Sequence, residues 1–577
     1  MLFSLLYKFI QNCIIGSAAK KVNMNKAISD ETNIERIEHK SKKNIAIGTI
    51  LGYIAILISV AYGLFLTPII IQHVGEENYG IYGLSTSIIN LFLMDFGLGQ
   101  TISTKLAKLR AANDKAGVER FLSGIFKLYL FADIIFVVVI LVLFFIAPYT
   151  FKSSYTPDQI TTLKYMFLIV GGYSLISLPS SVFTGVISTY EKFSMIKTFD
   201  IIQKVSYLAL SLISIYLGWG VIGIVCVNVA SGIFVIILRF IYMRTYLRIR
   251  LNLRNGMDRA ERKEVISFSW WGFIIALFAR LTITITPFIL GVVSNAFQVT
   301  LFTLVSTMET YIFMFGEAFS GSFMAKIART EASGSKEEKR AHLQSLVEKV
   351  GKLQFCVVSL IIAGFASVGY EFVQVWMFDA ATIDHPLVPT PGMSILETYS
   401  IIYYSILAIS FLNLIDLPQI PLGNAMYLHG HIKPIAINYI IRAVINVGLS
   451  FALSSFWGAF GASLAVLIAG LVGALLNNIV YRKYLGISLS HYFLAVYGRS
   501  GITALITVGV GLLLHFFVPL DAHMIVKLIV DGSIVVVVYI ICTLLISFNA
   551  QERHHYMNII FEILHIKKRY VEIEPKK

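Results

Sequence analysis

Fourteen stretches of this sequence read as long apolar runs, each near the roughly 20 residues a helix needs to cross the hydrocarbon core of a bilayer. Their expected positions are 44–71, 79–101, 125–149, 160–187, 198–217, 220–243, 265–290, 296–325, 351–378, 395–428, 434–454, 458–480, 500–518 and 524–547. Lipid offers no partner to backbone N–H and C=O groups, so runs of this length are satisfied by the internal ladder of a helix. The expectation is an all-α polytopic membrane protein with about fourteen transmembrane helices. With 57% of the 577 residues hydrophobic and 14% charged, little length remains for a soluble catalytic domain, and no catalytic residues are expected. Cys13, Cys226, Cys356 and Cys542 stand apart from one another in or beside apolar runs, which points to neither a disulfide framework nor a metal or cofactor site.

The net charge of +14 could suggest a nucleic-acid partner, but its placement argues otherwise. Every Lys and Arg except Lys152, Lys164, Arg280 and Lys527 lies in or beside alternate connections, beginning with the segment before span 1. Such a bias marks the cytoplasmic side, so a multi-pass protein with both termini in the cytoplasm is expected, with membrane lipids and no nucleic acid as partners.

Before span 1, Leu2, Leu5, Leu6, Phe9, Ile10, Cys13 and Ile14 recur at helical spacing, interrupted by Lys8, Gln11 and Asn12. Two readings stand: an interfacial amphipathic helix, or a start of translation at Met24. The connections on the other side are short, and the longest carries Pro386, Pro389 and Pro391. A membrane glycan polymerase or ligase would need more external chain than that. The inner segments 244–264 and 326–350 read as charged helical connections.

Sliding the chain against itself by 219 residues superposes Thr67, Pro68, Ile70, Ser87 and Gly97 on Thr286, Pro287, Ile289, Ser306 and Gly316. The same shift lays span 1 on span 7 and span 2 on span 8. Six spans is an even number, so the copies share one orientation, as in transporters built from parallel repeats. The expected body is two parallel six-helix lobes around a central cavity plus two C-terminal helices. Its segments are 1–43 (N-terminal), 44–243 (first lobe), 244–264 (basic linker), 265–480 (second lobe), 481–547 (appended spans) and 548–577 (tail). Pro68 and Pro287 are expected to bend the first helix of each lobe.

From Thr67 to Lys108 the sequence runs TPIIIQHVGEENYGIYGLSTSIINLFLMDFGLGQTISTKLAK. With Gly75, the Tyr79-Gly80-Ile81-Tyr82 turn, and Asp95-Phe96-Gly97-Leu98-Gly99 before a basic segment, it resembles the opening of Wzx-type polysaccharide flippases. These belong to the multidrug/oligosaccharidyl-lipid/polysaccharide exporter superfamily. Residues Arg280 to Arg329 resemble the second-lobe counterpart more loosely, since Thr282, Thr284 and Thr286 stand where relatives often carry an acid. The resemblance covers most of 44–480. It implies alternating-access transfer of a polyprenyl-diphosphate-linked oligosaccharide, such as an O-antigen or capsule repeat unit, across a bacterial cytoplasmic membrane. Polysaccharide assembly proteins are implied partners.

Ionisable groups within spans are costly, so each is a candidate for function. Arg280 and Glu309 fall at similar depths in spans 7 and 8, either as a mutual pair or with Arg280 binding the cargo diphosphate, for which a guanidinium fork is suited. Arg442 is the second candidate for the diphosphate, with Asp416 as its alternative packing partner, and Glu309 and Asp416 are candidates for gating or ion coupling. The first lobe reads as nearly uncharged, with Tyr53, Tyr62, Ser87 and Asn90 as candidate sugar contacts. The absence of an acid from span 1 argues against a small-molecule or drug antiporter of the same superfamily. The scarcity of arginine there weakens a lipid II flippase. No Walker motif is present, and outward passage of about two negative charges gains roughly 4 to 5 kcal/mol per 100 mV.

Overall fold

A computed structural model describes the backbone of residues 30–92, 114–152, 154–249, 256–317, 336–382, 393–517 and 524–554, with 102, 105, 106, 109 and 251. Within these, side chains are described except at 30–50, 89–92, 115, 268, 336, 378–382 and 515–517. Residues 2–14, the turn from Asp95 to Gly99, Pro386, Pro389, Pro391, and the side chains of Asn90 and His515 therefore lie outside the described residues.

The described chain is helical throughout. The first helices are α1 (Asp30–Val74), α2 (Glu76–Phe92), α3 (Lys115–Thr150), α4 (Pro157–Thr189), α5 (Phe193–Tyr216) and α6 (Gly220–Ile241). Then come α7 (Arg259–Thr284, continued past Ile285 by Thr286–Val293), α8 (Ala296–Glu317), α9 (Lys336–Thr382) and α10 (Ile395–Asp416, continued by Ile420–Leu428). The stretch Ile432–Leu485 follows, and last are α13 (Leu489–Phe493 through a π turn into Arg499–Phe517) and α14 (Met524–Cys542). Several starts are written in short polar motifs. Thr156 and Gln159 cap α4 reciprocally at 2.9 and 3.4 Å, and Ser394 and Glu397 cap α10 at 2.8 and 3.2 Å.

Among the described residues eleven helices are long and apolar enough to cross a membrane, or twelve with Arg259–Ser267 and Ser269–Thr284 taken as one span bent by 40°. The expected fourteen is not reached as a count. One reason is that α2 is described over only 17 residues. Another is that Ile432–Leu485 runs unbroken in hydrogen bonding although it folds back on itself. A straight helix of that length would measure about 80 Å, more than twice the core of a bilayer. Gly458 takes φ 53°, ψ −130°, a region reserved for glycine. Asn438 meets Asn477 at 3.0 Å and His431 meets Tyr484 at 4.8 Å, pairs that straddle Gly458 symmetrically. The stretch is a helical hairpin of arms α11 (432–457) and α12 (459–485).

Three boundaries differ from expectation. Helix α1 begins 14 residues earlier than the expected span, at Asp30, and α9 extends outward to Lys336. The basic linker becomes helical at Arg259.

Helix contacts fall largely into two groups. In the first lobe α1 lies on α5, α3 on α4, and α6 on α4 and α5, while in the second α7 and α10 lie on the hairpin α11–α12 and α9 on α10. Helices α13 and α14 pack on α9 and on each other. Equivalent helices even share a bond. Lys204 of α5 donates to the carbonyl of Ala55 in α1 at 3.0 Å, and Asn446 of α11 donates to that of Thr282 in α7 at 2.7 Å.

The buried apolar clusters define the shape. At the end opposite the basic connections one cluster takes in both lobes, including Leu66, Tyr79, Leu84, Phe302, Trp376 and Ile402. At the basic end the clusters separate. Phe121, Ile125 and Val182 pack within the first lobe together with Met257 of the linker and Val265 at the start of α7, and Leu346, Leu422 and Tyr481 pack within the second.

Candidate functional site

The joined end is sealed mainly by α2 against α8. A Cβ at Gly80 would lie 2.5 Å from the carbonyl oxygen of Ala296, and one at Gly83 would strike Thr303, so the helices approach as closely as glycine permits. Thr300 donates to the carbonyl of Glu76 at 2.5 Å, and the Trp376 indole donates to that of Leu64 at 2.9 Å, tying α8 to α2 and α9 to α1.

Beside this seal is a group of tyrosines from four helices. The rings of Tyr62 and Tyr207 meet edge to face at 5.9 Å, the Tyr82 and Tyr207 hydroxyls are 3.2 Å apart, and Tyr79 lies 5.9 Å from Tyr82. Tyr311 of α8 crosses from the second lobe to press against Gly63 of α1. Of these only Tyr62 was expected as a sugar contact, whereas Tyr79 and Tyr82 entered as residues of the turn that carries the resemblance.

Roughly one helical turn nearer the basic end, Lys204 and Ser59 stand beneath Tyr207 and Tyr62. The Lys204 ammonium donates to the Ser59 hydroxyl as well as to the Ala55 carbonyl. Lys204 lies midway along α5, so the nearly uncharged first lobe carries a cation within its spans. A fixed cation bounded by hydroxyls and aromatic rings can hold a phosphate oxygen while tyrosines stack under sugar rings or hydrogen-bond to them. Both pairs recur at i, i+3 on facing helices, a signal present in the sequence but indistinct among 29 tyrosines.

In the second lobe the expected Arg280–Glu309 pair is absent. Glu309 is 5% exposed and its carboxylate accepts from the Asn413 amide of α10 at 3.4 Å. Arg280 is exposed, and its charge, like that of Lys197 from the first lobe, acts on Glu317. The two residues share a depth but not a direction. Asp416 and Arg442 do pair, at 2.8 Å, with Arg442 buried against the space left by Gly473. Its guanidinium is engaged in the lobe interior and is not presented as a free diphosphate ligand.

Tyr53 and Ser87 are half-buried on α1 and α2. Pro68 sits inside an uninterrupted α1, whereas Pro287 opens the segment that resumes after the break at Ile285. The matched prolines thus act differently: only the second lobe's first helix is broken. Near the basic end Asp200 accepts from Arg239 at 2.7 Å and faces Lys197 at 3.6 Å, bracing α5 against α6. Among the described residues no three His, Cys, Asp or Glu side chains are grouped to hold a metal ion.

Comparison with known proteins places this architecture. The family described as polysaccharide biosynthesis protein matches residues 25–319. No curated protein matches the chain. Among solved structures, one titled lipid II flippase MurJ, inward closed conformation, superposes with a TM-score of 0.63 at 13% identity, covering 89% of this chain and 100% of that one. An inward-facing multidrug resistance MATE family transporter of the MOP superfamily gives 0.57 at 14% identity, covering 76% and 98%. A MOP superfamily transporter from Pyrococcus furiosus, whose title reports reverse polarity of its binding pocket, gives 0.55 at 16% identity, covering 77% and 96%. These likenesses speak for the fold.

Proposed function

The chain belongs to the polysaccharide biosynthesis protein family, and on that premise we propose that it moves a polyprenyl-diphosphate-linked oligosaccharide across a bacterial cytoplasmic membrane. The basic end faces the cytoplasm in this reading, by the bias of Lys and Arg in its connections. The head group enters between the lobes from that side, the polyprenyl tail stays in lipid, and the lobes rock to release the sugar at the other face.

The observation that carries the proposal is Lys204 held against Ser59 and the Ala55 carbonyl between α1 and α5, one turn from the tyrosine group that adjoins the apolar cluster shared by both lobes. A positive site lined by hydroxyls suits an anionic glycolipid and is ill-suited to a cationic drug, which disfavours the antiporter reading. Arg280, exposed on α7, supplies a second cation across the gap. A lipid II flippase is the second reading, favoured by the likeness that spans the whole of that flippase chain. The two cargoes share the polyprenyl diphosphate and differ in the sugar.

The test is transfer in proteoliposomes containing the full chain and a fluorescent polyprenyl-diphosphate oligosaccharide. Functional protein makes the inner-leaflet pool accessible to an external quencher, and Arg280→Ala slows that exposure. Quenching equal to that of protein-free vesicles overturns the proposal, and preferential transfer of lipid II selects the second reading.

A further inference from the structure

At the basic end, one face of α7 forms a groove of about 480 Å³ that the transfer path described above does not use. Its lining follows helical spacing: Arg259, Arg262 and Lys263, then Ile266, then Trp270 and Trp271. Positive charge thus grades into indole along the axis, the order in which a helix entering a leaflet meets phosphates and then the acyl boundary.

The cations are uncompensated. The two acids among them are occupied elsewhere, Glu264 by Lys105 at 2.6 Å and Glu261 by the Asp258 amide at 3.3 Å, and Arg259, Arg262 and Lys263 form no ion pair among the described residues. Lys433 from the start of α11 lies 5.6 Å over the Trp271 ring, adding a fourth charge at the inner edge. Ile266 and Trp270 remain 47% and 51% exposed, a large apolar surface beside unpaired charge.

We propose that this groove captures the diphosphate head group of a polyprenyl lipid from the cytoplasmic leaflet before it enters the gap between the lobes. The inference rests on the flippase reading. Charge decides the occupant: three unpaired cations match a diphosphate, whereas a phosphodiester lipid brings one negative charge. Position agrees, because Arg262 and Arg280 are separated by five whole turns at 3.6 residues per turn and so share one stripe of α7, apart from its bend. A head group released from the groove has Arg280 next along the same helix.

The experiment uses the full chain in phosphatidylcholine nanodiscs, with emission of Trp270 and Trp271 and equilibrium binding as readouts. The probes are a polyprenyl diphosphate, phosphatidylglycerol and inorganic pyrophosphate. The polyprenyl diphosphate is expected to bind the wild type, and Arg262→Gln/Lys263→Gln to weaken it on the order of 10- to 30-fold, at about one charge contribution per residue near a membrane surface. Trp270→Phe should remove much of the emission change, and an emission change left intact in that variant would place the bound lipid elsewhere and overturn the proposal. Equal binding of phosphatidylglycerol with the same dependence on Arg262 and Lys263 overturns the proposal in favour of a general anionic-lipid site. Equal binding of pyrophosphate overturns it in favour of a soluble anion, and undiminished binding by the double variant overturns it outright. Transfer is scored separately in proteoliposomes. Protein that binds at the groove but never moves the lipid fails the flippase reading alone, and transfer unaffected by the double variant fails the groove alone.

Discussion

Lys204 of α5 donates to both the Ser59 hydroxyl and the Ala55 carbonyl of α1, so the first lobe holds a cation fixed between two helices one turn below its tyrosines. Lys204→Gln is expected to lower oligosaccharide-lipid transfer about tenfold or more, the scale of one lost hydrogen bond to a charged group. Lys204→Arg should retain most of it. Quenching kinetics in proteoliposomes measure the effect, and unchanged thermal unfolding of the Gln variant would separate lost recognition from lost folding.

Asp416 and Arg442 form an ion pair largely removed from solvent, and removing one partner leaves the other uncompensated. Arg442→Met is expected to destabilise the protein by about 3 kcal/mol, and Asp416→Leu/Arg442→Met to recover most of that loss. Thermal unfolding in detergent, followed by size-exclusion chromatography, tests both. A double variant no better than the single would mean that the pair holds the lobe together through more than its charges.

The close approach of α2 and α8 leaves no room for a side chain at Gly80. Gly80→Ala puts a Cβ 2.5 Å from the Ala296 carbonyl oxygen, a backbone atom that yields only if the helices move apart. A loss of about 1 to 3 kcal/mol is expected, the scale of overpacking, read as a lower unfolding temperature in detergent. An unfolding temperature equal to that of the wild type would show that the two helices do not meet this closely.

Gly458→Ala combines a backbone region closed to L side chains with a contact against Gln298, whose side chain accepts from the Ala459 amide at 2.8 Å. A loss of about 1 to 3 kcal/mol is expected. It should appear as a lower unfolding temperature, with cargo binding intact in the folded fraction.

Much of this architecture was legible in the residues. Apolar runs gave the helices, and Thr67-Pro68 against Thr286-Pro287 suggested the repeat. Depth could be read from position within a run, which is why Arg280 and Glu309 looked like partners. Azimuth could not, because the rotation of α8 about its axis is set by packing, which turns Glu309 to Asn413 of α10. Lys204 was misplaced for a related reason. Read as lying near a span end and counted with the positive charge of a nearby connection, it gave no sign of being drawn onto the face of α1 by the Ser59 hydroxyl and the Ala55 carbonyl.

The single apolar cluster shared by both lobes, set against the divided clusters at the basic end, has a mechanical consequence. Two rigid arms clamped at one rim work as tongs. Whatever draws the free rims together pries at the clamp, so a cargo bridging Lys204 and Arg280 would supply its own leverage. An empty pair of arms, lacking that pull, would rest with its jaws open to the side where cargo waits.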